Sequence, residues 1–192
     1  NIRKDTWQEI ASMNLPANNP CVCVFNDRYI YKFGGKINDD QLYNTIERYN
    51  PLLDRWIVIN FEHPKKIGHD GEKFCLYSSA ACCQISDSSI FVFGGTHINY
   101  SQKTASSFLV HIEKEEKDKK YNEEIKPSHR IVGFDLYPLP IAEAFWNNQP
   151  IIHEGNIYCL QNVQNESNTS AVYLDRRRLL RFSYPEGWKV FE

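Results

Sequence analysis

Short runs in which apolar and polar or alternate apolar side chains exchange faces recur through this chain, as in "YIYKFGG" (29–35), "SIFVFGG" (89–95) and "NIYCLQN" (156–162). A period of two places successive side chains on opposite sides of a pleated backbone, which predicts strands. Each run has an apolar partner just upstream: "PCVCVF" before "NDR", "AACCQI" before "SDS", and "QPIIH" before "EG". Short Asn, Asp, Ser and Gly links between apolar runs mark tight antiparallel hairpins. After the first glycine pair, "LYNTIERYNPLLDRWIVIN" reads as a second hairpin turning at Pro51. The predicted unit is therefore four short antiparallel strands, and the predicted class is all-β.

Set in register, the three runs align Gly34 and Gly35 with Gly94 and Gly95, 60 positions on, and with Gln161 and Asn162 in the third copy. This is an internal repeat with long, uneven links. The second copy offers "SSFLVHI" as its third strand and Phe134 in "FDLYPLP" in place of a tryptophan. The third offers "LRFSYPEGW", with Phe182 at the place of Tyr49 and Trp188 at the place of Trp56. Units are expected over 20–61, 76–140 and 149–192, with residues 5–16, "DTWQEIASMNLP", as the last strand of a preceding unit.

The succession Gly34-Gly35, Tyr43, "ERYNP" with Tyr49, and Trp56 resembles a kelch repeat. That resemblance implies four-stranded blades of a β-propeller, with the glycine pair closing the second strand and Tyr49, Trp56, Phe182 and Trp188 filling the wedges between blades. The physics agrees, since glycine admits a close backbone approach and large rings fill a gap between tilted sheets. The Gly-His to Trp-Asp signature of a WD40 propeller is missing. Three units and a leading strand make an incomplete ring with open sheet faces. The remaining blades are expected from the same or another chain.

Composition narrows the partners. The 192 residues carry 22 Lys and Arg against 24 Asp and Glu. A near-balanced charge is not the footprint of a nucleic-acid binder or a membrane-seeking surface. No apolar run reaches a membrane span and no leader pattern opens the sequence, so a cytoplasmic location is expected. The six cysteines form no C-x-x-C pairs and read as reduced, small core residues. Three N-x-S/T sequons, at Asn99, Asn165 and Asn168, would matter only in a secreted protein.

In a four-stranded meander the first-to-second and third-to-fourth turns emerge at one end, and the other links at the opposite end. The long links "KINDDQLY", "FEHPKKIGHDGEKF", "THINYSQKT", "LPIAEAFWNN" and "VQNESNTS" all fall at that second end. Loops gathered on one rim of a rigid scaffold are where recognition is expected. The candidate partner-binding residues are Tyr100, Trp146, His69 and the run Arg176, Arg177 and Arg178, which suits a carboxylate or phosphate group. The mixed-charge run 113–126 lies at the opposite rim and reads as a solvated loop.

No catalytic motif is present: neither G-x-S-x-G, nor a P-loop, nor G-x-G-x-x-G appears. No cofactor or metal is expected, although His63, His69 and His97 share the loop-bearing rim. The expected function is thus a non-catalytic protein-interaction scaffold or adaptor. The resemblance implies settings such as substrate recruitment to ubiquitin ligases or cytoskeletal and ciliary assemblies. The competing reading is a kelch-propeller enzyme, either a metal-dependent oxidase or a sugar-processing lyase or isomerase, with its pocket at the propeller axis.

Overall fold

A computed structural model describes residues 6–38, 41–62, 75–96, 104, 106–114, 129–140, 150–163 and 176–191. The first sheet holds β1 (Cys21–Phe25), β2 (Tyr29–Phe33), β5 (Ile46–Asn50) and β6 (Arg55–Ile59) in that order. Between β2 and β5 lies a small extra hairpin, β3 (Lys36–Asn38) with β4 (Gln41–Leu42). The second sheet runs β7 (Ala81–Ser86), β8 (Ser89–Phe93), β9 (Ser107–Lys114) and β10 (His129–Leu136). The third runs β11 (Ile151–His153), β12 (Asn156–Val163), β13 (Arg176–Ser183) and β14 (Gly187–Phe191). Every pairing is antiparallel, and no helix occurs among the described residues.

The tight turns follow from residues that tolerate left-handed backbone. Asn26 and Asp27 turn β1 into β2 with φ of 52° and 50°, and Glu154 with Gly155 turn β11 into β12 at 49° and 73°. Paired positive φ values match the right-handed twist of the flanking strands.

Alternation along the strands of the second sheet sends their side chains into two different seams. Tyr31 and Phe33 of β2 join Cys82, Ile90, Val92, Phe108, Val110 and Ile112 in the core between the first and second sheets. Phe91 and Phe93 of β8 face the other way, into a second core with Ile157, Cys159, Leu180 and Phe182 of the third sheet. The second sheet is thus apolar on both faces, as a sheet sandwiched between two others must be.

Rings fill these wedges. Trp188 of β14 lies 5.3 Å from Phe93 and 5.7 Å from Phe91, centroid to centroid, and Phe182 stacks on Phe91 at 4.2 Å. In the second sheet Phe134 takes the corresponding place, 5.6 Å from Phe61 and 5.8 Å from Phe108. The second and third sheets therefore each lean on their predecessor through a ring from the fourth strand.

The far face of the third sheet repeats the pattern with greater exposure. Tyr158 and Leu160 sit where Tyr31 and Phe33, or Phe91 and Phe93, sit in the earlier copies. Those four rings are at most 1% exposed, whereas Leu160 is 40% exposed and Ile151 67%. Arg181, opposite Tyr158, repeats the place of Arg48 opposite Tyr31, and lies 5.2 Å from the Phe191 ring.

Three expectations meet a different structure. Residues 36–43 were expected as an open link; Tyr43 N donating to Gly35 O at 2.8 Å and the β3–β4 pairing close part of it into a hairpin. The leading segment forms no strand over 6–16, because it finds no ladder partner among the described residues. It lies instead on the first sheet, where Trp56 Nε1 donates to Ala11 O at 2.9 Å and Ala11 N donates to Asp54. Finally, not all cysteines are reduced: a disulfide joins Cys21 of β1 to Cys82 of β7. Both face the first seam on adjoining strands, with Cα atoms 6.1 Å apart, a spacing that sequence separation cannot reveal.

Candidate functional site

The loop-bearing rim rests on a repeated backbone device. Ahead of β1 the connector places Asn19 at φ 49°, and ahead of β7 its counterpart Ser79 lies at 56°. The residue before each pairs with the residue after the glycine doublet, Asn18 with Lys36 and Ser78 with Thr96. Ser79 N then donates to Asn19 O at 2.9 Å, so the two connectors are joined main chain to main chain.

This close approach explains the glycines. A Cβ on Gly34 would stand 2.8 Å from Leu76 Cβ, and one on Gly95 would stand 2.7 Å from Tyr77 Cβ and 2.8 Å from Ser78 O. The doublets give the connector room to pass over the end of the second strand.

Of the residues expected to bind a partner, His69, Tyr100 and Trp146 lie outside the described residues, as do His63 and His97. Arg176, Arg177 and Arg178 open β13 opposite Val163, Asn162 and Gln161, at the end of the sheet that carries the long links. Among the described residues no group of His, Cys, Asp and Glu is arranged to hold a metal ion. A groove of about 640 Å³ borders Phe61, Glu62, Arg130 and Phe134. It flanks β10, the outer strand of its sheet, and not the inner strands β1 and β7 where an axial pocket would open.

Three polar constellations escaped the sequence reading. Lys32 and Glu47, cross-strand neighbours on β2 and β5, form an ion pair at 2.7 Å with both side chains fully buried. Lys32 Nζ also donates to Leu15 O at 2.7 Å and lies 5.2 Å from the Tyr43 ring. Glu47 Oε1 accepts from the backbone N and the side-chain amide of Asn14, each at 3.0 Å. The pair thus satisfies itself and clamps the leading segment to the first sheet.

Second, Arg48 is buried with its guanidinium 4.6 Å from the Tyr29 ring. Burial pushes the neighbouring Tyr31 phenol well above its ordinary range, against the opposing pull of Arg48. Third, Ser89, His111 and Asp135 fall in line across β8, β9 and β10. His111 Nδ1 is 3.4 Å from Ser89 Oγ, and its Nε2 is 2.8 Å from Asp135 Oδ2. The order is that of a charge relay, but it follows from register: Ser89 pairs with His111, which stands two positions from the partner of Asp135. With Ser89 buried, the line pins three strands together. Only a strand register would have exposed any of these to a reader of the sequence.

The four free cysteines are Cys23, Cys75, Cys83 and Cys159. Burial pushes the Cys83 and Cys159 thiols up to about 12 and the Cys75 thiol up to about 11. Burial thus disfavours the thiolate at all three.

The Kelch motif profile matches residues 17–60, which span the first sheet. Kelch-like protein 15 of Gallus gallus is 35% identical over 69 residues, covering 36% of this chain and 14% of that protein. Kelch-like protein 15 of Homo sapiens is 32% identical over 69 residues, covering 36% of this chain and 11% of its own length. The chain thus spans a small fraction of these relatives. Among solved structures, that of YjhT superposes with a TM-score of 0.55 at 13% identity, covering 94% of this chain and 52% of the other. This likeness extends the fold to all three sheets. With a matched first repeat, glycine doublets under their connectors and rings wedged between successive four-stranded sheets, the chain carries a kelch motif over residues 17–60 and has the fold of kelch-type β-propeller blades.

Proposed function

We propose that the chain is a docking module without catalysis, whose loop-bearing rim holds a segment of a partner protein. The observation that carries this reading is the frame beneath the rim. Doublets, bridges and the Asn19–Ser79 link hold the roots of the long connections in fixed relation, and the kelch likeness points to an interaction module. Rigid roots lower the cost of ordering loops on binding. Tyr100 and Trp146 are the proposed aromatic anchors, with His69 and Arg176, Arg177 and Arg178 for an acidic group on the partner.

The open face of the third sheet supports a second element of the reading, that further kelch blades complete the ring. Leu160, Leu179 and Phe191 are each about two-fifths exposed on strands whose counterparts are covered elsewhere by the next blade.

The test is quantitative affinity capture with the full chain as bait. Proteins enriched by the wild type should be lost with Trp146→Ala and Arg177→Glu, and retained with Asp87→Lys on the short-turn rim. Retention by both loop-rim variants, with loss confined to Asp87→Lys, would overturn the assignment of the rim.

A further inference from the structure

Two indoles make the same bond, but only one of them reaches a completed sheet. Trp188, the second residue of β14, donates through Nε1 to Tyr137 O at 3.1 Å. Tyr137 directly follows β10, the fourth strand of the second sheet. Trp56, the second residue of β6, donates in the same way to Ala11 O at 2.9 Å. Ala11 thus holds the place of a residue that leaves a fourth strand. Ahead of it stand residues 7–10, which are exposed and join no ladder among the described residues. Trp7 is 98% exposed, although "DTW" at 5–7 repeats the "DRW" at 54–56 that leads into β6. A ring so fully in water leaves a large apolar surface uncovered.

We infer that residues 7–10 are a docking strand, which adds as the fourth member to a kelch-type antiparallel sheet of three strands. This strand presupposes that further blades complete the ring, and is the surface by which the blade ahead of the first sheet attaches. Its footing is already fixed. Ala11 N donates to Asp54, Glu47 accepts from both amides of Asn14, and Lys32 Nζ donates to Leu15 O. The segment therefore enters the pairing with its direction set, which lowers the cost of ordering it. Pairing gives the backbone of 7–10 the ladder it lacks, as in strand addition at a sheet edge.

Alternation sends Ile10 toward the first sheet, as Ile59 of β6 enters the first seam. Trp7 goes to the opposite face, the one from which Trp188 of β14 reaches Phe91 and Phe93. The completed sheet covers Val22 and Val24 of β1, about half exposed on the face turned away from the first seam. A second copy of the chain does not fit the role. Each of its four-stranded sheets already carries β6, β10 or β14 on the edge that residues 7–10 need. The acceptor is a sheet whose third strand has a free edge and whose faces are apolar, to take Ile10 on one side and Trp7 on the other.

The test compares the 192-residue chain alone with the protein purified from its native source. Hydrogen exchange reads the ladder: amides 8–10 should exchange at intrinsic rates in the chain alone and at least ~100-fold more slowly in the native protein. Hydroxyl-radical labelling reads the side chains: Trp7, Val22 and Val24 should each be labelled several-fold less in the native protein. Freely exchanging amides 8–10 there, with Val22 and Val24 shielded, would overturn the docking strand and leave the completed ring standing. With both valines labelled freely as well, the ring would fall with it. Dimers of the chain alone in which amides 8–10 become protected would overturn the choice of acceptor in favour of a second copy.

Discussion

Replacing Gly34 by alanine tests whether the doublet is there for room or only for backbone freedom. Gly34 sits at φ +57°, where an L-residue costs about 1–2 kcal/mol. Its new methyl would also meet the backbone and Cβ of Leu76, the latter at 2.8 Å. Leu76 is buried in the first seam and its amide is held by Asn44 Oδ1 at 3.0 Å, so the connector cannot step aside freely. Overpacking of this kind adds about 1–3 kcal/mol, for a total of ~2–5 kcal/mol. Gly155 is the internal control, since at φ +73° it is also left-handed but meets nothing within 4 Å. Gly155→Ala should cost only the conformational part, about 1–2 kcal/mol. Urea unfolding followed by tryptophan fluorescence, with linear extrapolation, gives both values. Equal losses in the two variants would show that the connector yields and that the close approach has no energetic weight.

Three further outcomes are expected. Glu47→Gln strands Lys32 in a fully buried site and should cost about 3–5 kcal/mol, whereas the double change Lys32→Met with Glu47→Leu should recover much of it in the same unfolding assay. The Asp54 carboxyl is held below its usual range by the Ala11 amide and by the Tyr49 hydroxyl, which donates at 2.6 Å. A carboxyl with a depressed folded pKa contributes stability that is complete above its unfolded value, near 4, and is lost as pH falls through the lower folded value. Hydrogen exchange at Ala11 should therefore accelerate as pH drops below about 4 relative to intrinsic rates, and Asp54→Asn should flatten that profile. Native alkylation of Cys83 and Cys159 at pH 8 should run about a thousandfold slower than of an unperturbed thiol, because their thiolate fraction is lower by that factor. Labelling at ordinary rates would place them in water.

The strands, hairpin turns and glycine doublets were legible because each rests on local chemistry: alternation, turn residues and a residue without a side chain. Phe134 could be proposed in place of a tryptophan because only its position in the repeat and its size mattered. Lys32 and Glu47 were not legible. Each looks like a surface residue until β2 and β5 are paired, and only then do two charges become neighbours inside a core. The same holds for Cys21 and Cys82, which lie 61 residues apart in the sequence but on adjoining strands in space. The anchors proposed on the rim follow from residue type and link position.

The tie from Ser79 N to Asn19 O has an evolutionary consequence. It uses main-chain atoms only, so the blade-to-blade spacing at the rim is indifferent to which side chains the connectors carry, provided each can turn left-handed at that point. Asn18-Asn19 and Ser78-Ser79 share no residue yet make the same bridge. A surface built on such main-chain footings can exchange its loops wholesale while its geometry stays put.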